Sequence, residues 1–241
     1  MEILKTTLSS KQQLAPDVWL FRFDLSQGQQ LNFAAGQYLI LMIGEEQRRL
    51  YSISSPVDQK DSFELLVKLL PQGVGSDYLR ALEPGQRAFF QGPAGLFTLR
   101  SIDKAKVFLA AGTGLAPIRS QIHSYLNQGG QAQVFLFWGL KRKADLYLFD
   151  ELRGLTSRHP NFHFVVCLDQ EDKFLGLDVD LFHRGRVDRA FTEFVKERKL
   201  DQKQLNDFEY YLCSGREIVE ALKIFLESLG INKENIFFDK F

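Results

Sequence analysis

The hydrophobic pattern of this chain changes near residue 100. Before that point apolar and polar residues alternate in short runs, which is typical of β-strands with one buried face. The clearest runs cover residues 18–25, 37–43, 63–70 and 87–91. Turn residues such as Ala35-Gly36 and Pro84-Gly85 separate them. The pattern therefore predicts an antiparallel β-barrel or sandwich for the first hundred residues.

After residue 100, short apolar strands alternate with amphipathic helices. Strands are predicted at residues 106–110, 133–138, 162–168 and 210–213, and helices after the first strand and at 145–156, 187–198 and 217–229. In the last helix the predicted buried face carries Ile218, Leu222, Phe225 and Leu229, with Gly230 as its C-cap. This alternation indicates a parallel sheet with helices on both faces.

Composition narrows the class of protein. The 241 residues include 30 basic and 30 acidic side chains, so we expect neither nucleic acid nor a membrane as partner. The sequence shows no apolar leader and no run long enough to span a bilayer, which predicts a cytoplasmic protein. Two cysteines cannot hold an iron–sulfur cluster or a structural zinc by themselves, and the four histidines show no metal spacing. No metal is therefore expected.

An arginine, an aromatic ring and a hydroxyl stand together at Arg49-Leu50-Tyr51-Ser52, in a segment predicted to be β. Because side chains alternate along a strand, Arg49 and Tyr51 should project to the same side. The arginine offers a planar fork of donors to a phosphate, and the tyrosine offers a flat apolar face. The pair favours a ligand with a phosphate at one end and a flat ring at the other.

Two glycine turns add candidates for phosphate binding. Gly112-Thr113-Gly114 follows a buried strand and precedes a helix with Pro117 near its first turn. Glycines let the backbone approach a pyrophosphate, and the helix N-terminus supplies free N–H groups; a tight turn without a ligand is the alternative. Gly73-Val74-Gly75-Ser76 leads into a short predicted helix, with backbone amides and the Ser76 hydroxyl as donors. Phosphate contacts in both halves predict two ligands that meet at the domain junction.

The ordered motifs of the chain resemble those of the ferredoxin–NADP⁺ reductase superfamily over essentially its whole length. They are Arg49-Leu50-Tyr51-Ser52, residues 73–76, 92–97 and 112–117, Cys213, and the end Asp239-Lys240-Phe241. The resemblance implies a two-domain fold, with an antiparallel β-barrel FAD-binding domain (residues 1–100) followed by an α/β parallel-sheet NAD(P)H-binding domain (residues 101–241). The missing cluster cysteines argue against the fused iron–sulfur domain that some relatives carry.

The resemblance also implies roles on the flavin side. Arg49 would bind the FAD pyrophosphate, Tyr51 would stack on the isoalloxazine ring, and Ser52 would approach flavin N5. A serine hydroxyl can serve N5 as donor or as acceptor. The remaining FAD contacts would come from Leu50, Leu66, Val67, Lys68, Gly73, Val74, Gly75 and Ser76.

On the nicotinamide side, Thr113 would lie where the two cofactors meet. The pyrophosphate of the nucleotide would be held by the turn formed by Gly112, Thr113, Gly114, Leu115 and Pro117. Cys213 would lie near nicotinamide C4, Asp239 would take the place of the family's C-terminal Glu, and Phe241 would cover the flavin. Ser52, Cys213 and Asp239 are thus the predicted catalytic residues. A plain core cysteine and a core-filling terminus are the alternatives for Cys213 and Phe241.

Three departures from the family pattern bear on the cofactor. Glycine follows Cys213 after one intervening residue, Ser214, and the terminal acid is shorter by one methylene. Asp169-Gln170 stands where NADP(H)-specific members carry Ser-Arg. A carboxylate there suits a ribose 2′-OH and repels a 2′-phosphate, so NADH is favoured over NADPH. The basic run Lys141-Arg142-Lys143 is taken as a solvated loop.

The predicted function is hydride transfer from NADH to FAD, followed by electron transfer to a separate acceptor. That acceptor would be a ferredoxin, a flavodoxin, a haem protein, an oxygenase component or a small molecule, and the protein itself is expected to be a monomer. One alternative is a reductase of free flavin, which releases its flavin as product. The other is a non-catalytic nucleotide-binding subunit on the same scaffold.

Overall fold

The first hundred residues form a six-stranded antiparallel sheet and one helix. The structure is a computed structural model that describes residues 2–174 and 176–241. The strands are β1 (Glu2–Ala15), β2 (Val18–Leu25), β3 (Tyr38–Ile43), β4 (Gln47–Ser52), β5 (Ser62–Lys68) and β6 (Arg87–Ala94), and the helix is α1 (Val74–Ala81).

This sheet closes on itself into a barrel. Its strand order is β4-β3-β6-β1-β2-β5, and a bridge between Ile53 and Leu65 joins the two ends of that order. The alternating positions that point inward form one apolar core. Phe23, Phe63 and Phe90 meet at its centre with ring centroids 5.0–5.4 Å apart. The antiparallel barrel predicted from the sequence is therefore confirmed.

The second sheet is parallel and also has six strands. They are β7 (Lys106–Ala111), β8 (Val134–Leu140), β9 (Phe162–Leu168), β10 (Phe182–Arg184), β11 (Glu209–Ser214) and β12 (Ile236–Lys240). The helices that accompany them are α2 (Leu115–Asn127), α3 (Phe149–Arg158), α4 (Val187–Glu197), α5 (Gln202–Asn206) and α6 (Arg216–Ser228). The strand order β10-β9-β8-β7-β11-β12 confirms the predicted α/β class.

Apolar faces of the sheet bind helices on both sides. On one face α4 and α6 bury Phe191, Val219 and Leu222 in a core with β7, β8 and β11. On the other face Phe149, the first residue of α3, packs edge-on against Phe164 of β9 at 5.7 Å. Burial on both faces explains why these strands are nearly continuous apolar runs in the sequence.

The chain divides into two compact units. One contains residues 1–100 together with Ala116–Gln128, and the other contains Ser101–Leu115 and Gly129–Phe241. The first unit thus takes in most of α2, a helix that follows the glycine turn of the second unit in sequence.

Several elements differ from the sequence-based prediction. β1 was not anticipated, because only scattered apolar residues such as Leu4 and Leu8 mark its buried side. The short edge strands β10 and β12 were also missed. The helix predicted from residue 145 begins at Phe149, after Leu148 adopts a left-handed φ of 54°. In α6, Ile218 was wrongly assigned to the buried face: it is 44% exposed, and Val219, Leu222 and Leu226 are buried instead.

Candidate functional site

Arg49 and Tyr51 lie on the same face of β4. Their partners across the ladder to β3 are the buried Leu41 and Leu39, whereas Leu50 between them is 59% exposed. Both side chains reach the first turn of α1 at Gly75. A Cβ atom on Gly75 would collide with the Tyr51 hydroxyl oxygen and lie 3.1 Å from Arg49 Cγ. Glycine is therefore needed here for the arginine and the ring to approach the helix.

The N-terminus of α1 is open beside this pair. Gly73 precedes the helix with a φ of 147° and has no side chain to cap the first turn, while its own N–H donates to Asp77 Oδ2 at 3.3 Å. The N–H groups of residues 74–76 have no acceptor within the helix, and the helix dipole favours an anion next to them. The Ser76 hydroxyl, a predicted phosphate donor, already accepts the Leu70 N–H at 2.9 Å. Accepting this bond leaves the Ser76 O–H as a donor, so the backbone amides, Arg49 and Ser76 are the candidate anion-binding groups of this corner.

β4 and β5 are joined just beyond the Tyr51-Ser52 end of β4. Ile53 bridges to Leu65, and the Ser54 N–H donates to the Glu64 carbonyl at 2.8 Å. Ser52, the last residue of β4, is half-buried and lies one residue before this bridge. The bridge therefore fixes where the Ser52 end of β4 stands against β5.

Two of the three residues of β5 that were predicted to contact FAD turn their main chain toward β4. The Leu69 N–H bonds to the Asp17 carbonyl next to β2. Since the hydrogen-bonding direction alternates in an antiparallel ladder, the main chain of Val67 also faces β2, and that of Leu66 and Lys68 faces β4. The Leu66 and Val67 side chains are buried, and Lys68 pairs with Asp17 at 2.8 Å. Main-chain donors and acceptors thus line the β4 side of β5.

The Tyr51 ring is held in its neutral form. Burial raises the pKa of its phenol, and the nearby Arg49 charge opposes that rise only in part. A neutral ring keeps a flat apolar face for stacking.

In the second unit, the predicted glycine turn is a single 3₁₀ turn, Gly112–Gly114, between β7 and α2. Gly112 has a φ of 53°, and its carbonyl accepts the Trp138 indole N–H at 3.0 Å. Thr113 is half-buried. Leu115 and Pro117, both predicted to contact the nucleotide, have buried side chains. Gly112 and Thr113 are therefore the residues of this turn that solvent reaches.

The packing of the turn explains why residue 114 is a glycine. A Cβ atom there would collide with the Cys213 carbonyl oxygen and lie 2.6 Å from its carbon. The glycine thus lets the turn pack against the end of β11. Its predicted close approach to a pyrophosphate stays a prediction.

Two of the predicted catalytic residues, Cys213 and Asp239, lie side by side at the ends of β11 and β12. Cys213 on β11 is fully buried, and its register partners are Ala110 on β7 and Asp239 on β12. Burial raises the pKa of the Cys213 thiol well above its usual value, and the nearby Asp239 charge adds to the rise. Burial also raises the pKa of the Asp239 carboxyl, although the Lys240 N–H opposes that effect. The thiol is therefore protonated and is not a nucleophile.

Phe241 lies beside the loop that leaves β11. Its N–H donates to the Ser214 carbonyl at 3.4 Å, and its main-chain oxygen accepts the Arg216 N–H at 3.2 Å. The ring itself is 69% exposed, so it does not fill the core of its own unit. The alternative of a core-filling terminus is wrong.

Asp169 follows β9 in an exposed loop that is tied to the loop after β8. The Asp169 N–H donates to the Leu140 carbonyl at 3.2 Å. In the same loops, the Glu171 carboxylate accepts the N–H groups of Lys143 and Lys173 at 2.8 and 3.3 Å. These hydrogen bonds lower the pKa of Glu171, so an ionised carboxylate stands two residues from Asp169 in the chain.

The structure brings the predicted residues into two groups. The first unit unites Arg49 and Tyr51 with the start of α1, and the second unites the glycine turn with Cys213 and Asp239. A joint role of Ser52 with Cys213 and Asp239 stays a prediction, because Ser52 belongs to the other unit. Among residues 2–174 and 176–241, no three His, Cys, Asp or Glu side chains are grouped to hold a metal ion. No helix within those ranges is long and apolar enough to cross a membrane.

Sequence reasoning missed the groups that hold the β4–β5 bridge. Arg119 of α2 donates through Nη1 to Glu64 Oε2 at 2.7 Å and to the Ser54 carbonyl and hydroxyl oxygens, both at 3.1 Å. The sequence signal was a single arginine in the first half of that helix, after the apolar residues 115–118.

Comparison with known proteins identifies both halves of the chain. The family model described as oxidoreductase FAD-binding domain matches residues 5–99, and the one described as oxidoreductase NAD-binding domain matches residues 108–223. Together they cover both glycine turns, the Arg49–Tyr51 pair and Cys213, whereas Asp239 and Phe241 lie beyond the matched residues.

Individual relatives point the same way. The toluate 1,2-dioxygenase electron transfer component of Pseudomonas putida is 30% identical over 98% of this chain and 67% of that protein. The anthranilate 1,2-dioxygenase electron transfer component of Acinetobacter baylyi is 29% identical, over 99% and 67%. The chain thus spans about two thirds of the length of these curated relatives. A crystal structure of the Amycolatopsis cytochrome P450 reductase GcoB superposes with a TM-score of 0.87 at 28% identity, covering 100% of this chain and 70% of that one.

Proposed function

The chain belongs to the ferredoxin–NADP⁺ reductase superfamily, and from this premise we propose that it oxidises NADH and passes the electrons to a separate acceptor protein. It is an FAD-dependent NAD(P)H oxidoreductase with FAD and a pyridine nucleotide as cofactors. FAD, when bound, supplies the centre that accepts a hydride and releases electrons onward. The residue roles, the choice of NADH and the nature of the acceptor are the proposed parts.

The observation that carries the proposal is the meeting of Arg49 and Tyr51 at Gly75. Arg49 and the open amides of the α1 N-terminus suit a pyrophosphate, because both favour an anion. Tyr51 presents a neutral ring beside them. The open main-chain groups of Leu66 and Lys68 suit the hydrogen-bonding edge of a flavin, and Val67 supports them by packing. Ser52 completes this side with a hydroxyl that can donate or accept.

For the nucleotide we propose the loop Gly112-Thr113-Gly114 and the end of β11. Thr113 and the N–H groups of the turn would hold the pyrophosphate, while Leu115 and Pro117 support it from within. The protonated Cys213 offers a small, neutral and polarizable surface that packs against a nicotinamide and excludes water. Asp239 would hold or accept a proton next to it. The exposed Phe241 ring would cover the flavin until the nicotinamide enters.

Charges in the loop after β9 favour NADH over NADPH. Asp169 is exposed there, and the ionised Glu171 adds negative charge. The basic run lies beside these acids: the main-chain N–H groups of Arg142 and Lys143 donate to Asp145 Oδ2 at 3.0 Å and to Glu171 Oε2 at 2.8 Å, and the charges of both side chains help to lower the pKa of Glu171. A 2′-phosphate would meet repulsion from these carboxylates.

Because relatives are named as electron transfer components of dioxygenases, we propose an oxygenase component or an iron–sulfur protein as the acceptor. A reductase of free flavin is the second candidate. The open α1 N-terminus next to Arg49 favours a retained FAD, since its anion site suits a pyrophosphate that riboflavin lacks and FMN does not carry. A monomeric, cytoplasmic protein stays a prediction.

The first experiment tests the flavin and its reductant. Purified protein should retain FAD through gel filtration, and the yellow colour should bleach anaerobically with NADH. Arg49→Met should weaken FAD binding by about 100-fold, because a charge-assisted phosphate contact is lost. Arg48→Met is the matched control, since Arg48 lies on the opposite face of β4 and bonds to Gly44 and Gln47 carbonyls. A colourless protein that binds no flavin would refute the proposal.

A second experiment tests the nucleotide choice. The wild type should show a higher kcat/KM with NADH than with NADPH. Asp169→Ser should raise kcat/KM for NADPH by about tenfold, because one repulsive charge is removed. Asp180→Ser, another exposed aspartate of the same region, serves as the control. A wild type that prefers NADPH would contradict the role given to Asp169.

A further inference from the structure

Arg119 is a buried cation whose partners lie on the flavin side of the barrel. Its side chain and that of Glu64 are 9% and 13% exposed, so this ion pair is nearly removed from water. The same guanidinium nitrogen reaches the carbonyl and the hydroxyl of Ser54, which is fully buried. A buried charge of this kind is retained only where its partners satisfy it closely.

The three acceptors belong to the junction between β4 and β5. The Ser54 N–H donates to the Glu64 carbonyl, and the Glu64 N–H donates to the Ser55 hydroxyl at 3.1 Å. Ser54 and Glu64 are thus already linked through their main chains. Arg119 links them a second time through a side chain from α2, a helix outside the barrel strands.

This junction sets the geometry of two proposed flavin contacts. Ser54 lies two residues after Ser52, and Glu64 lies two residues before Leu66. The Ile53–Leu65 contact is an isolated bridge, and Leu66, the next residue, pairs with Leu20 in the β2 ladder while its main-chain N–H and C=O face β4. A shift in the junction therefore changes the spacing between the Ser52 hydroxyl and the open edge of β5.

We propose that Arg119 is a positioning residue for the flavin, which fixes the spacing of Ser52 and the β5 edge by clamping Ser54 to Glu64. The inference rests on the proposed function, because it takes Ser52 and Leu66 as flavin contacts. Arg119 acts on these contacts through Ser54 and Glu64, the partners that its guanidinium bonds directly.

A purely structural ion pair would behave differently when both charges are removed. Arg119→Met leaves the Glu64 carboxylate buried without its cation, which lowers stability whatever the role of the pair. The double variant Arg119→Met/Glu64→Met removes both charges and should regain most of the thermal stability. It does not restore the clamp on Ser54, so the flavin geometry should remain altered.

The test measures FAD-saturated protein. For Arg119→Met and the double variant, we expect a changed visible circular dichroism of the bound flavin. Anaerobic flavin reduction at saturating NADH should slow by about 10- to 100-fold, the cost of a misplaced reacting group, with little change in KM for NADH. Arg119→Lys keeps the charge and should recover part of the rate.

Arg22→Met provides the matched control. Arg22 lies opposite Glu64 in the β2–β5 ladder and also reaches β5, through its bond to the Ser62 hydroxyl at 3.0 Å, but it is 42% exposed and its side chain contacts Ser62 and Asp24 instead of Ser54. This variant should keep the flavin spectrum and the reduction rate of the wild type.

Two results would overturn the inference. If the double variant regains the rate together with the stability, Arg119 is only structural. If Arg119→Met folds and its flavin spectrum and rate match the wild type, the clamp has no role in positioning. A wild type that binds no FAD refutes the proposed function and this inference with it, whereas a normal wild type with unaffected variants refutes the inference alone. Should Arg119→Met fail to fold, the double and lysine variants decide the matter.

Discussion

The two glycine turns of this protein look alike in sequence and differ in what their glycines accommodate. In both, a glycine stands where a helix begins and where a Cβ atom would collide with a neighbour. At Gly75 the neighbours are the side chains of Tyr51 and Arg49. At Gly114 the neighbour is the main chain of Cys213. One glycine therefore makes room for groups that face a ligand, and the other makes room for the sheet.

Gly75 therefore matters chiefly for ligand binding, and Gly114 matters chiefly for folding. The end of a tyrosine side chain can move at modest cost, so Gly75 is constrained chiefly by what Tyr51 and Arg49 must do. The Cys213 carbonyl belongs to β11, which pairs with β7 and β12, so it cannot move without disturbing the sheet. Substituting the two glycines should consequently damage different properties.

The largest effect is expected for Gly114→Ala. Because the new methyl group meets the Cys213 backbone, the free energy of unfolding should fall by about 3 kcal/mol, as in other overpacked interiors. Chemical denaturation followed by circular dichroism measures this. Gly112→Ala is the control: its φ of 53° adds strain of about 1 kcal/mol, but no atom lies within 4 Å of the new Cβ. Equal losses for the two variants would contradict the packing role of Gly114.

Gly75→Ala should instead leave folding nearly intact and weaken FAD binding. Displacing the Tyr51 hydroxyl end and crowding Arg49 should raise the Kd for FAD by about tenfold, with a stability change of the apoprotein below about 1 kcal/mol. Reconstitution of apoprotein with FAD, followed by flavin fluorescence, gives the Kd. Gly154→Ala, at an open position of α3, is the control and should change neither the Kd for FAD nor the stability of the apoprotein. A Gly75→Ala protein with normal FAD affinity would show that the pair does not bind the flavin.

How far the sequence predicts such roles depends on where the neighbour lies. The common face of Arg49 and Tyr51 follows from strand periodicity alone, and the structure agrees. The partner of Gly114 lies about a hundred residues away on β11, so only the tertiary fold reveals it. Arg119 was missed for the same reason, since its acceptors Ser54 and Glu64 lie 65 and 55 residues earlier in the chain.

The strand predictions show the same limit. Strands with a strong alternating or continuous apolar run were found, including β2, whose bounds agree with the prediction. β1 was missed because its exposed side is a series of serine, lysine and glutamine residues, and register shifts after Leu8 and Gln13 interrupt its period. Its neighbours β2 and β6 supply the hydrogen bonds that make it a strand.

A double variant tests which side chain opposes a methyl group at residue 75. If the Tyr51 hydroxyl is what opposes a methyl group at residue 75, Tyr51→Phe should relieve part of the defect of Gly75→Ala. We expect a favourable coupling of about 1 kcal/mol in FAD binding, measured as a double-mutant cycle of Kd values. Tyr51→Phe alone should bind FAD nearly as well as the wild type, because the ring face is kept. Additive effects would mean that Arg49, 3.1 Å from the same Cβ position, is the group that is displaced.

The smallest effect concerns the strand end that Gly114 packs against. Burial raises the pKa of Asp239 above its usual value, so the folded state holds its proton more tightly than the unfolded state. Stability from this group is present below its ordinary pKa near 4 and is lost as pH rises through the folded pKa, so at neutral pH the charged carboxylate destabilises the fold. Asp239→Asn should therefore raise Tm by a few degrees at pH 7 and should give no gain near pH 4, which thermal scans at both values measure. The same variant should slow flavin reduction by NADH if Asp239 acts beside the nicotinamide, whereas a more stable protein with an unchanged rate would show that the carboxylate lowers stability and takes no part in catalysis.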